Sequence, residues 1–467
     1  MSLRATAFAA TIAVALLAGR GSRLAGQVPA VGRDSLRLTL DASVALALKG
    51  ATAVQLAASD VRVGSGVLLE ARGRFLPAIG AGAGAFAEQG TTLLSSTATV
   101  PTDTRFTGGL WQVSTAINLF NGFQDIATLR AAERTHDAAM RSLDRTRQQV
   151  AFDVTQAFEQ LSLDERLVEV AEANLALSVA REAQLEEQVR VGTRAPPDLY
   201  RQRAQSRADE ALVIDSRNRA RNDRVALLVK LHVDPTRPVA FAPAAIDTTI
   251  IPDTALGVGL LSAQALSARP DLGAARLRAE AADDGIRAAR GGAWPRVVLG
   301  LDYITSARVF DWERVNGANV IAGGQRALAT QLGDQGIGIL SLGVVWPLLD
   351  RNRTRADVER ASAVADRDRA LADDLRLRVV GEVERAAGDY RAAVQARRAA
   401  TAGLAAAQQA FESVQGRYDV GLTNFIDLQS AQAALTQSRA VAAQADVNLT
   451  LQRDVLRLVT GGVTPVR

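Results

Sequence analysis

The stretch from Phe123 to Val191 reads FQDIATLRAAERTHDAAMRSLDRTRQQVAFDVTQAFEQLSLDERLVEVAEANLALSVAREAQLEEQVRV. It holds no glycine and no proline at any position, so nothing in it interrupts a helix. At about 1.5 Å per residue such a helix is on the order of 100 Å long. Helical patterns beyond about 25 residues point to coiled coil rather than to a globular core. Val154, Leu161, Val168 and Leu175 recur at heptad spacing, and Leu163, Val170 and Leu177 do so two positions later. Two residues turn a helix by about 200°, so the stripes lie on nearly opposite sides. A helix with two seams has a neighbour on each side, as in a ring of helices. An amphipathic helix in an ordinary bundle is the plainer alternative.

Working outward, the same pattern occurs twice. Val191-Gly192 returns as Val420-Gly421, Asp198-Leu199 as Asp427-Leu428, and Leu119-Phe120-Asn121 aligns with Leu348-Leu349-Asp350, all at one and the same shift along the chain. Ala71-Arg72-Gly73 and Pro77 match Ala289-Arg290-Gly291 and Pro295. The second long segment, Asn352 to Val420, has no proline but carries Gly381, Gly388, Gly403 and Gly416. Its heptad stripe is Val379, Ala386, Ala393, Ala400, Ala407 and Val414, small residues that let helices approach closely. Shorter helical stretches, 43–75 and 198–233, flank the first long one and together match its length. The arrangement expected is one long helix antiparallel to two short ones stacked end to end. The divisions are 1–26, a segment before the repeats; 27–233, the first repeat (helix-strand-strand-long helix-helix); 234–258, a proline-bearing linker; 259–460, the second repeat; and 461–467, a tail.

Between the helices the hydrophobic period changes to two. Trp111, Val113, Thr115, Ile117 and Leu119 alternate with Gln112, Ser114, Ala116 and Asn118. Val297, Leu299, Leu301 and Tyr303 form a second such run, Leu340, Leu342, Val344 and Trp346 a third, and LPAIGAGAGAF at 76–86 a weaker fourth. Each is about the 9–11 residues of a transmembrane strand, with the apolar-out, small-or-polar-in alternation of outer-membrane barrels. Eleven of the 20 aromatics lie within 75–123 and 294–346, and Trp111, Trp294 and Trp346 stand near strand ends, where a membrane-interface girdle belongs. The links 87–106 and 305–335 read as long polar extracellular loops. Four strands cannot close a barrel, and lipid tolerates no open sheet edge, so the chain must oligomerise.

The composition removes other chemistries. There is no Cys, and only two His and two Met, which excludes disulfides, a Cys nucleophile and soft-ligand metal sites. No catalytic constellation, cofactor motif or metal set stands out, so the chain reads as a non-enzyme with no cofactor. The net charge is +4 and the pI about 9.9. Lys occurs only at 49 and 230, so the positive charge is almost all Arg. The run Arg217, Arg219, Arg221, Arg224 is interspersed with Asp215 and Asp223, a solvated helix face rather than a nucleic-acid site. Residues 1–26 have Arg4, an apolar run from Ala5 to Gly19 and small residues at Ala25-Gly26, the pattern of a secretory signal peptide.

Two motifs then carry a family resemblance over the whole mature chain. Val345-Trp346-Pro347-Leu348-Leu349-Asp350 is similar to the strand-to-helix passage of the TolC family of outer-membrane efflux and secretion channels. Tyr418-Asp-Val-Gly421-Leu-Thr-Asn-Phe-Ile-Asp427-Leu resembles its periplasmic tip turn, with Val191-Gly192-Thr-Arg-Ala-Pro-Pro-Asp198-Leu as the degenerate first copy. The resemblance implies a mainly α fold with a transmembrane β part. Long antiparallel α-hairpins would form a helical tunnel, and four strands per chain a 12-stranded trimeric β-barrel. It implies a homotrimer in outer-membrane lipid that spans into the periplasm. There it would serve as the passive exit duct of a tripartite efflux pump or type I secretion system, with a periplasmic adaptor and an inner-membrane transporter. A soluble periplasmic coiled-coil scaffold is the alternative, and a secreted nucleic-acid binder a weaker one. The resemblance places the adaptor contact at the turns Val191, Gly192, Thr193 and Val420, Gly421, Leu422, and the closed gate near them, with Asp427, Asp198, Tyr418, Thr423 and Arg194 as its candidates; Asp198, which follows two prolines, reads rather as a first-turn helix acid, and Tyr418 equally as an ordinary seam aromatic. Asp427 is expected either to face the pore, where three copies would make an anionic constriction, or to act as a first-turn helix acid. Thr423 stands where some members carry a gate-locking Arg.

Overall fold

A computed structural model describes residues 36–93, 101–243, 249–320 and 325–462. The signal-peptide reading of 1–26 lies outside the described residues, as do parts of the linker and tail.

The first half runs β1 (Leu36–Leu38), α1 (Leu40–Gly50), α2 (Thr52–Gly73), β2 (Ala78–Leu93), β3 (Pro101–Asn121), α3 (Gln124–Arg190), α4 (Pro196–Lys230) and β4 (Val239–Phe241). The second runs α5 (Val258–Ala268), α6 (Pro270–Arg290), β5 (Arg296–Val315), β6 (Ala318–Asn319), α7 (Leu328–Asp334), β7 (Gly336–Val345), α8 (Arg353–Asp419) and α9 (Phe425–Val459). The glycine-free stretch becomes a 67-residue helix, and its counterpart α8 has the same length. The four glycines of α8 do not break it. α3 packs along α1, α2 and α4 in its own half and along α6 and α9 of the other, while α8 packs on α5, α6 and α9. β1 pairs with β4 in parallel beside the junction of α1 and α4.

Both long helices leave the sheet through the same corner. Gly122 and Phe123 have φ of 66° and 64°, and Arg351 and Asn352 have 57° and 64°. Two consecutive left-handed residues turn an extended chain into a helix. The residue before each pair caps the first turn. The Asn121 side-chain oxygen accepts from the Asp125 amide at 3.3 Å, and the Asp350 carboxylate from the Thr354 amide at 2.8 Å. The bonds from Thr354 hold the Asp350 carboxyl below the usual carboxylate range. Gly122 also has no room for a side chain, since a Cβ there would lie 2.5 Å from the Gly291 carbonyl.

The seams drift along α3. Val154, Leu161 and Leu163 are buried as the periodicity predicts, but Leu177 is exposed. Lower down the buried heptad is Asp164, Ala171, Ser178 and Leu185. These polar and small residues do not register as an apolar stripe. In α8, Val379, Ala386 and Ala393 are buried, while Ala400, Ala407 and Val414 are half-buried. Among the described residues four apolar clusters sit along the helices, a small one of Ala51, Val54 and Leu143 and three larger ones. One joins Phe158, Leu161, Leu227 and Leu231 at the level of β1 and β4, one joins Tyr390, Val379 and Leu449, and one joins Leu185, Leu199, Phe411 and Phe425 at the far end.

The sheet is antiparallel, in the order β2-β3-β5-β7, with β6 on the upper part of β5. Register puts Ile79, Trp111, Val113, Ile117, Leu299, Leu301, Tyr303, Leu340 and Leu342 on one face. Gly80, Gly82, Gln112, Ser114, Asp302 and Ser341 share the other. From Trp111 to Leu119 the apolar band is about 27 Å tall at roughly 3.4 Å per residue, which matches a membrane barrel.

The segments read as loops from their polarity are largely strand. β2 continues to Leu93, β3 begins at Pro101 and β5 continues to Val315. Past the apolar band the residues on that face are polar, among them Gln89, Asp103 and Arg105. On the opposite face Phe86, Phe106 and Phe310 form a small core. The Phe86–Phe106 and Phe106–Phe310 centroids are 6.1 and 5.2 Å apart, and the Arg308 guanidinium lies 4.9 Å over Phe106. β7 pairs with β5 only from Arg296 to Thr305. Above that level two glutamine side chains stand in for a strand. Gln331 accepts from the Arg308 amide and donates to its carbonyl, and Gln325 does the same at Phe310.

Candidate functional site at the helical tips

α3 and α8 end alike, in a Schellman closure that a residue with positive φ permits. Gly192 has φ of 78° and Gly421 of 80°. The Gly192 amide donates to the Val189 carbonyl and Thr193 to Gln188, while Gly421 donates to Tyr418 and Leu422 to Arg417. The turns then present apolar side chains to solvent: Val191, Val420 and Leu422 are 56%, 69% and 71% exposed. The Thr193 hydroxyl folds back on the Gln188 carbonyl at 3.0 Å.

In the first turn, α4 opens on Pro196 and Pro197, and Asp198 is half-buried, 3.6 Å from Arg201. In the second, Asn424 caps α9 by accepting from the Asp427 amide at 2.9 Å, and the Thr423 hydroxyl donates to the Asp427 carboxylate at 2.7 Å. Asp427 is therefore a first-turn acid whose carboxylate is exposed. Thr423, in place of an Arg, serves that acid within its own turn.

The two turns meet at Tyr418. Its ring is buried against Phe425, with centroids 6.3 Å apart, and the Arg194 guanidinium covers it at 4.6 Å from the centroid. The Tyr418 hydroxyl is buried and makes no hydrogen bond. Burial raises its pKa, opposed by Arg194 and Arg181. Arg194 and Tyr418 thus join the two hairpins, a pairing between distant parts of the chain that spacing does not reveal. Asp198 and Asp427 stay with their own helices.

Arg181 is a residue that sequence reading missed. It is buried inside the wall and donates to the Gln432 side chain at 2.9 Å, and burial lowers its pKa. Gln432 donates on to Asn174, which also accepts from Thr436, and Gln429 donates to Gln205. These side-chain bonds between the hairpins are polar, with Arg181 the charged partner among them. In a chain so rich in Arg, no local signal marks this one as buried.

At the other end, Trp111 is stacked on Tyr303 with centroids 5.2 Å apart, on the apolar face. Trp346 donates its ring N–H to the Ala293 carbonyl at 3.1 Å, beside Trp294. Trp294 and Trp346 are 56% and 60% exposed. The three tryptophans so bracket the apolar band. Among the described residues no group of His, Asp and Glu is arranged to hold a metal.

Comparison with known proteins gives one picture. Residues 261–462 match the sequence profile of the outer membrane efflux protein family. The chain is 25% identical over 436 residues to the outer membrane efflux protein BepC of Brucella suis, covering 93% of the chain and 87% of that protein. It is 24% identical over 359 residues to the pyoverdine export outer membrane protein OpmQ of Pseudomonas putida, covering 75% and 69%. The fold is similar to the outer membrane protein VceC of Vibrio cholerae, with a TM-score of 0.75 at 17% identity over 91% of this chain and 96% of that one.

Proposed function

We propose that the chain is an outer-membrane protein of the efflux family its second half matches, and that it is the passive exit duct of a tripartite pump or type I secretion system. The observation that carries this reading is the open sheet. Among the described residues β2 and β7 each have one edge without a partner, and the sheet's apolar face is about as tall as a membrane's hydrocarbon core. Three copies would close twelve strands, and their twelve long and stacked helices would continue the wall into the periplasm. The two halves, 27–233 and 259–460, act as repeats joined by 234–258.

The duct has no chemistry of its own. Energy comes from an inner-membrane transporter, reached through a periplasmic adaptor. The exposed Val191, Gly192, Thr193 and Val420, Gly421, Leu422 supply its docking turns. Arg194 and Tyr418 hold the hairpins together at the closed tip, and Asp198, Thr423 and Asp427 supply its polar lining.

Outer-membrane fractions run without boiling should contain a trimer that heat converts to a monomer. A soluble monomer sinks the reading. In planar bilayers, Asp427→Ala should weaken block by divalent and organic cations. Block equal to that of the parent channel removes Asp427 from the gate.

A further inference from the structure

Halfway along the wall, α3, α4 and α9 surround a groove of about 330 Å³. Asp153, Glu159, Asp223 and Lys230 supply its charged lining, and Val447 and Leu451 of α9 its apolar side. Glu159 is only 6% exposed, and one of its carboxyl oxygens has no hydrogen-bond partner. A buried carboxylate left unpaired is costly, and the group avoids that cost by keeping its proton. Further along α3, Asp164 is also buried and accepts from the Gln160 side-chain amide at 3.4 Å. The Asp223 carboxyl of α4 acts on it, and two neighbouring carboxyls disfavour carrying both charges.

We propose that Glu159, Asp164 and Asp223 make the junction of α3, α4 and α9 a proton-responsive seam, clamped while they hold protons and loosened when they lose them. The seam lies within one chain, while its effect on the duct rests on the reading above. Every charge facing it bears on the balance. Arg453 and Asp454 of α9 act on Glu159, and Asp223 and Arg219 of α4 act on Asp164. Asp153 and Lys230 stand along the groove. Burial pushes Glu159 up to about 8, with Asp454 acting the same way and Arg453 against it. Burial, then the neighbouring Asp223 carboxyl, push Asp164 up to about 6.

Both folded values lie above those of the unfolded chain. The stability these groups supply is therefore full in acid. It declines as pH rises towards about 6 for Asp164 and about 8 for Glu159, and is lost above these values.

The test is thermal unfolding of the full-length protein in detergent from pH 5 to pH 9, with hydrogen exchange read over residues 447–454. The parent protein should melt lower as pH rises, and α9 should exchange on the order of tenfold faster at pH 9 after correction for the intrinsic rate. Glu159→Gln keeps the shape of the protonated acid and should abolish the fall between pH 6 and pH 8. Asp223→Asn should lessen the fall below pH 6 and leave the part that Glu159 causes. A flat parent profile, or folded variants that retain the parent's fall, overturns the seam. Bilayer conductance tests the duct separately. A pH-dependent melt in a protein that conducts nothing upholds the seam and sinks the duct.

Discussion

His232 shows how one residue's backbone can matter more than its side chain. It ends α4 with φ of 60°, donating its amide to the Val229 carbonyl while Val233 donates to Leu228. The matching position in the second half is Gly461, which closes α9 with the same pair of bonds at φ of 79°. A left-handed conformation costs a residue with a Cβ about 1 kcal/mol. The His232 ring is exposed, so its loss costs little packing. His232→Gly should therefore raise stability by about 1 kcal/mol, and equilibrium denaturation of the solubilised protein measures it. At this scale the tip was partly legible. Gly192 and Gly421 announce the turns because a positive φ calls for glycine. Arg194 on Tyr418 and the burial of Arg181 were not, since both depend on which helices meet across the hairpins.

The long helices were legible almost to their end residues, because an unbroken run without proline has one plausible conformation and a glycine closes each. Their neighbours were harder to read, because the buried heptad of lower α3 runs through Asp164 and Ser178. In the sheet the alternating cores were legible and the extents were not. Residues such as Asp103 and Arg105 read as loop by polarity but belong to a strand that runs past the apolar band. Between β7 and β6 the edge of β5 is covered by Gln325 and Gln331 and not by a strand. Bare strand edges template association between molecules. The double variant Gln325→Ala, Gln331→Ala should still insert, yet the purified protein should associate into species larger than the parent's. Size-exclusion chromatography checks this, and elution identical to the parent's rejects the role given to the glutamines.

For the whole molecule, the heights of the strands matter together. β3 has 21 residues and β5 has 20, but β7 has 10 and ends at Gly336, level with Thr305 and Trp111. A cask holds only to the top of its shortest stave. In the trimer proposed above, the sealed wall would stop at Gly336, and three separate tongues built of β2, β3 and β5 would rise beyond it with gaps between them. Cargo would be free to leave sideways as soon as it passed that line. Protease added to intact cells should trim the tongues and leave the cask standing, so the trimer should survive on an unheated gel and export should continue. Loss of export on trimming would mean that the tongues, and not the cask, control the exit.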